Sequence, residues 1–471
     1  MTAPDLIVEG GTVVDASGSA PADVLVAGGR VLALVVPGSW SGEIPARRLD
    51  ASGRLVLPAG VDPHCHVGFT SGAFTSLDDY RQATTAALFG GTTTIVDFAI
   101  PRPGEMPLEV AIRQQALASG GLCDAALHAC VVEWDESVPT QLAQLASMGI
   151  VTVKMYTTYR GETMASDDTI FQVMRELRDL GGMAVVHCES NPVIEEQQSR
   201  CAHAERIDAS NHAATRPEIA ETSSVAAVIG IAEALGAPVY VVHQSSAACL
   251  HLAVEARLRG VTVFSESVAH HLVLDDSLYH GEHPERFVCC PPLRSAETVA
   301  GLRAGAFDGS ISTIGSDHCC YDTAQKLSTR HDVRAMPNGM PGVETRLPVI
   351  FSELVVKAGL PVERFVALCC ANPARANGLW PHKGTLLPGS DGDLVIWDQS
   401  STRTVTTSSL HMATDYTPYE GLEVTGWPET VVVGGRVVVE GGELVDSEPR
   451  GRALRASELR FVTPQVAPLL A

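Results

Sequence analysis

Aromatic residues make up only 5% of the 471-residue chain, and 33 Lys and Arg stand against 55 Asp and Glu, a formal net charge of −22. A phosphate backbone or an anionic lipid surface needs clustered cations, so this balance excludes nucleic acid and membrane as partners. No basic N-terminal segment with an apolar core and cleavage site is present, and no apolar run is long enough to span a bilayer. A cytoplasmic protein is expected. No Cys-x-x-Cys occurs, and the twelve cysteines are scattered through apolar segments such as Cys289-Cys290 and Cys369-Cys370. In a chain of this length they read as buried free thiols, since disulfide frameworks belong to small secreted domains. No Gly-x-Gly-x-x-Gly or Walker motif follows any strand-like run, which counts against a doubly wound open sheet that binds nucleotides.

What is present is a large core in prospect, with 45% hydrophobic residues, 42 Gly and 28 Pro, enough for more than one domain. The first fifty residues alternate short β-branched runs with paired glycines, Gly10-Gly11 and Gly28-Gly29, each a tight-hairpin signal. The same signature returns at 393–397 and at 431–439, around Gly434-Gly435. Isolated hairpins are not stable, so both termini are expected to build one small β-sandwich, from 1–56 and 381–471. The barrel between them should occupy 57–380.

That middle stretch holds eight β-like runs, at 55–61, 93–99, 125–132, 151–156, 183–187, 239–243, 261–265 and 311–315, mostly separated by helical patterns. One helix reads as capped by Ser76 with Asp79 and stopped at Gly90-Gly91. Another starts at Ser166 and sets Ile170, Val173, Met174 and Leu177 on one face before Gly181-Gly182. Eight alternations predict a (β/α)₈ barrel, whose chemistry sits at the C-terminal ends of its strands.

Residues with metal chemistry fall at those ends. His64 and His66 follow the first run, and side chains two apart on a strand point the same way. Lys154, His187, His243 and Asp317 lie on or after the fourth, fifth, sixth and eighth runs. Each alone has an ordinary structural reading: a hydrogen-bonded core histidine, a Lys paired with Asp317, an Asp that is only a ligand. Together, four His, one Asp and a carbamate formed on a buried Lys154 would supply two cations with about three ligands each plus a shared hydroxide, the open arrangement that catalysis needs.

The chain resembles the cyclic amidohydrolases, in their hydantoinase and dihydropyrimidinase branch. The resemblance is carried by Gly60-Val61-Asp62-Pro63-His64-Cys65-His66, Val153-Lys154-Met155-Tyr156-Thr157-Thr158-Tyr159, Val186-His187-Cys188-Glu189, Val242-His243-Gln244-Ser245 and Gly315-Ser316-Asp317-His318. It extends over nearly the whole chain, through 90–98, 337–344 and 415–421. It implies two zinc ions bridged by N6-carboxylated Lys154, with His64, His66 and Asp317 on one and His187 and His243 on the other. It also implies ring opening of a hydantoin or dihydropyrimidine to an N-carbamoyl amino acid by the bridging hydroxide. Asp317 would shuttle the proton and Tyr159 would donate to the oxyanion, while Cys290 and Asn338 would hold the amide edge of the substrate. Homotetramers or homodimers are usual in the family.

Two places depart from the family pattern. Cys290 stands where a Ser precedes Pro-Pro-Leu-Arg, and 266–272 reads Glu-Ser-Val-Ala-His-His-Leu, with His270 and His271 expected to pack rather than ligate. Gly68 occupies the place of a dihydroorotase arginine, and Asp97-Phe98-Ala99 differs from the allantoinase Asp-Met-Pro, so both activities rank lower. An allantoinase-like or other cyclic imide hydrolase remains the alternative, followed by a non-catalytic scaffold. Selectivity is expected from the loops 67–75 and 155–164, with Phe69, Phe74 and Tyr156 as apolar walls. The tail from Glu448, with Arg450, Arg452, Arg455 and Arg460, is read as either a reach toward a neighbouring subunit or a loose terminus.

Overall fold

The computed structural model describes residues 3–42 and 47–456. Eight parallel strands form the central sheet: β1 Gly60–Cys65, β2 Thr92–Ala99, β3 Asp124–Cys130, β4 Thr152–Tyr156, β5 Met183–His187, β6 Val239–Val241, β7 Val263–Val268 and β8 Thr313–Gly315. Every residue of these strands is buried, as expected of strands covered on both faces by helices and barrel interior. Adjacent strands pair in chain order, for example Thr152↔Met183 through Tyr156↔His187.

The seam between β8 and β1 is closed by single bonds rather than a regular ladder. The His66 N–H donates to the His318 carbonyl at 2.8 Å, and the Ser316 N–H donates to Asp62 Oδ1 at 3.0 Å. Arg346, fully buried, donates from Nη1 to the carbonyls of Val61 and Ile314 at 3.1 and 2.8 Å.

Both termini meet in a second body of two sheets. A four-stranded sheet runs Arg30–Val35, Asp23–Ala27, Leu6–Glu9, Arg47–Asp50. A seven-stranded sheet runs from Glu443–Leu444 through Arg436–Glu440, Glu423–Val433, Leu394–Thr404, Leu55–Pro58 and Thr12–Asp15 to Gly18–Pro21. Leu6, Val8, Val24 and Val26 from the first pack with Val56, Ile396 and Val432 from the second.

Four local expectations are corrected. The run 55–61 is two strands, because the chain leaves the seven-stranded sheet after Pro58 and enters the barrel at Gly60; continuous hydrophobicity hid the change of sheet. Gly28-Gly29 and Gly434-Gly435 do form two-residue turns, closing Ala27↔Arg30 and Val433↔Arg436. Gly10-Gly11 instead passes the chain from one sheet to the other, since Leu6–Glu9 pairs with Asp23–Ala27 and Thr12–Asp15 with Gly18–Pro21. The helix Tyr80–Phe89 is capped by Asp79 in a capping box with Gln82, not by Ser76, whose hydroxyl donates to the His66 carbonyl. The tail docks on its own barrel: Leu454 N–H donates to the Ala125 carbonyl, and Arg452 Nη2 lies 2.6 Å from both Asp124 and Asp391. Arg460 lies outside the described residues.

Candidate metal centre and active site

The strand ends bring His66, Lys154, His187, His243 and Asp317 to one cavity of about 690 Å³, with Tyr159, Cys290 and Asn338 on its walls. His64 sits beside them, fully buried. Loop 67–72 and residues 98–103 form its far side, with Phe69, Phe98 and Tyr156 as apolar surfaces. Phe74, expected with them, sits on the short hairpin Thr70–Ser71/Phe74–Thr75 outside the lining.

The ring nitrogens are oriented by carboxylates behind them. His64 Nδ1 lies 2.7 Å from Glu266 Oε1, which turns Nε2 toward Asp317 Oδ1 at 3.1 Å; His66 Nε2 lies 3.3 Å from the same oxygen. His187 Nε2 lies 2.8 Å from Glu189 Oε2, so its Nδ1 faces His243 Nε2 at 2.8 Å. A histidine that gives one N–H to a carboxylate keeps a lone pair on the other nitrogen, the usual support of a metal ligand. Glu189 is itself paired with Arg216, whose guanidinium lies 5.1 Å from the centre of the Tyr159 ring.

Electrostatics give neutral ring nitrogens at His66 and His243, whereas His64, between Glu266 and Asp317, is held as a cation that a bound metal would have to deprotonate. Burial pushes the Lys154 ammonium down to about 8, against the pull of Asp317 and Glu266. Its Nζ has no hydrogen-bond partner, so the alternative Lys154–Asp317 pair is not made. Burial works to raise the Asp317 carboxyl, but the charge and hydrogen bond of His64 hold it well below the usual carboxylate range. For His64, burial is outweighed by Glu266 and then Asp317, which lift it to about 9. Burial drives His66 to about 4 and His243 well below its ordinary value, so both present neutral nitrogens.

These donors fit a pair of divalent cations. His64 Nε2, His66 Nε2 and Asp317 Oδ1 converge on one point, ring nitrogens of His187 and His243 converge on another, and an orphaned, fully buried amine stands with them. The amine makes no hydrogen bond and lies 4.7 and 4.8 Å from the centres of the Phe98 and Tyr156 rings, and a buried amine without a hydrogen bond is costly unless it is modified or bound.

Three of the four non-glycine residues with positive φ in the described chain belong to this site: Tyr159 (φ 70°), His243 (φ 35°) and Asp317 (φ 49°). Such backbone states cost of order 1–3 kcal/mol each and are held where the fold aims a side chain. Gly339, at φ 138°, lets the Asn338 loop approach, since a Cβ there would lie 2.6 Å from that of Cys319.

Four supporting residues carried no role in the sequence reading: Glu266, Glu189, Arg216 and Phe98. Glu189 follows His187 by two residues, a spacing that places it on the same side of an extended chain. Glu266 stands 202 positions from His64, and no local signal joins them.

A model of the amidohydrolase family matches residues 55–438. A dihydropyrimidinase of Rattus norvegicus is 35% identical over 447 residues, 93% of this chain and 86% of the relative. A D-phenylhydantoinase of Escherichia coli is 34% identical over 463 residues, 98% of this chain and 99% of the relative. The crystal structure of dihydropyrimidinase from Brevibacillus agri superposes with a TM-score of 0.93 at 32% identity, covering 96% of this chain and 98% of that one. An L-hydantoinase from Arthrobacter aurescens superposes at 0.87 with 29% identity, covering 96% and 99%. By sequence and by structure, this chain belongs to the amidohydrolase family, in its hydantoinase and dihydropyrimidinase branch.

Proposed function

We propose that the protein hydrolyses the cyclic amide bond of a hydantoin or dihydropyrimidine ring, giving an N-carbamoyl amino acid, with two zinc ions held at this centre. His64, His66 and Asp317 would hold one ion, His187 and His243 the other, and Lys154, carboxylated on Nζ, would bridge them. When bound, such a pair supplies an acidified water and polarises a carbonyl. The observation that carries the reading is the convergence of these nitrogens on two points beside a fully buried Lys154 amine that makes no hydrogen bond.

The chain's own residues perform the rest. Asp317 receives the proton of the attacking water and returns it to the leaving amide nitrogen, a contribution of roughly 10²–10⁴ in rate. Burial holds the Tyr159 phenol well above its ordinary pKa, so it stays a donor. It gives its hydrogen bond to the carbonyl oxygen as charge develops there, a contact whose loss costs about 10²–10³. Cys290 and Asn338 flank the amide edge, and Phe69, Phe98 and Tyr156 exclude water from the ring.

The reading includes a cytoplasmic homotetramer or homodimer acting on a small molecule. The acidic balance of the chain argues against nucleic acid as a partner, and no described helix is long and apolar enough to cross a membrane.

The test is turnover of dihydrouracil, hydantoin, a 5-aryl hydantoin, allantoin and dihydroorotate by protein supplied with zinc and bicarbonate, beside Lys154→Ala. Opening of the first three rings, abolished in the variant, is the expected result. Preferential opening of allantoin would favour the allantoinase-like alternative, and failure to bind metal would return the chain to the scaffold reading.

A further inference from the structure

A second group of metal-binding side chains is made of residues other than the proposed ligands. His270 and His271 follow β7 on the short helix Ala269–Val273, and Cys289 comes from the loop that carries Cys290. One ligand atom from each lies within 4.8 Å of the others, and all three residues are buried, at 3%, 2% and 1% exposure. The two imidazoles stand edge to face with centroids 4.5 Å apart.

Their hydrogen bonds leave donor atoms over. His271 Nε2 lies 3.1 Å from the Pro291 carbonyl, so that nitrogen carries the hydrogen and Nδ1 keeps a lone pair; Nδ1 has no partner. His270 Nε2 is likewise buried and partnerless. The Cys289 thiol donates to the Pro291 carbonyl at 3.2 Å. Two buried ring nitrogens without hydrogen-bond partners, beside a thiol, are unfavourable unless something fills the gap.

We infer that His270, His271 and Cys289 form a separate, non-catalytic site for a borderline-soft divalent cation, zinc being the member that suits two imidazoles and a thiolate. The metal joins the His270 and His271 nitrogens and replaces the thiol hydrogen of Cys289. The sulfur–hydrogen bond breaks, a zinc–sulfur bond forms, and one proton leaves to solvent. No oxidant or reductant takes part.

The site would serve as a clamp. Cys289 precedes Cys290 on the cavity wall, and His212 Nε2 already holds the Cys289 carbonyl at 2.7 Å. A cation across Cys289 and the β7 helix would fix the wall that faces the substrate's amide edge. The inference stands on its own donor set, whatever ring the catalytic centre opens.

The experiment is elemental analysis of zinc in the full-length holoprotein after exhaustive dialysis, beside Cys289→Ala and His271→Gln. Each variant is expected to hold one zinc fewer per chain than the parent. A cobalt-loaded parent protein should show a thiolate-to-cobalt charge-transfer band that Cys289→Ala lacks. Should a variant fail to fold, anomalous scattering at the zinc edge from crystals of the parent protein reads the same site directly, as a peak between the three side chains. Equal zinc in parent and variants, an unchanged cobalt spectrum, or no anomalous peak there overturns the inference. His270 and His271 would then be a packed, edge-to-face pair of rings.

Discussion

Glu266 is fully buried and serves three donors at once: His64 Nδ1 at 2.7 Å, the His243 backbone N–H at 3.0 Å and the Tyr240 hydroxyl at 2.6 Å. Replacing it with alanine strands all three inside the barrel. Each unsatisfied buried donor costs about 1–3 kcal/mol. Tyr240 escapes part of that, because Thr313 Oγ1 lies 2.6 Å from the same hydroxyl and can accept instead. The two remaining donors set an expected loss of about 2–6 kcal/mol in stability. His64 also loses the partner that fixes its tautomer, a change that typically weakens metal binding about 10–100-fold. Glu266→Gln keeps an oxygen for the His64 and His243 N–H groups and an N–H for the Tyr240 oxygen, so it should recover most of both losses. Urea unfolding gives the first quantity, and zinc release to a competing chelator gives the second. If Glu266→Ala releases zinc no faster than the parent protein, the argument that this carboxylate aims His64 is wrong.

Other outcomes follow from other parts of the molecule. Lys383 Nζ lies 2.6 Å from Asp124, 3.1 Å from Asp391 and 2.6 Å from Asp393, all buried, and ties the barrel to the terminal sheets. Lys383→Met leaves Asp124 with Arg452 and Asp391 with Arg452 and Arg30, takes the ammonium from Asp393, and should lower stability by about 3–5 kcal/mol, read by urea denaturation; a change under 1 kcal/mol contradicts this. His212 is buried, and burial drives it to about 3, against an ordinary 6.5. Between those values the unfolded chain binds a proton that the folded chain refuses, so stability present above pH 6.5 is lost as pH falls. His212→Gln should flatten the curve of unfolding free energy against pH by up to one proton, about 1.4 kcal/mol per pH unit in that window. An unchanged slope refutes it. Arg216→Met removes the cation that pairs with Glu189 and lies over Tyr159. It should lower kcat about 10–100-fold through those two contacts, and Arg216→Lys should restore less than half of the loss, because a lysine lacks the planar fork. Full activity in Arg216→Met would show that neither contact matters.

The sequence by itself determined what depends on near neighbours. Alternation of buried runs and helical periods specified eight parallel strands, and the period-two geometry of an extended chain placed His64 with His66 at a strand end. It also determined which residues could bind metal, since imidazole, carboxylate and a buried amine are properties of residue type. Tertiary structure decided what depends on distance along the chain. Continuous hydrophobicity from Leu55 to Val61 concealed a change of sheet, because burial on both faces erases the alternation that separates one strand from the next. Gly10-Gly11 carried the same local turn signal as Gly28-Gly29 yet crosses between sheets, because strand pairing is a contest between segments that local signals do not score. Glu266 behind His64 arises only when barrel closure brings β7 beside β1, and Arg216 behind Glu189 and the His270–His271–Cys289 group arise only when the long β5–β6 and β7–β8 connections fold back on themselves. Lone pairs become directed toward a common point through that closure, since a ring nitrogen's role is set by whatever its other nitrogen touches.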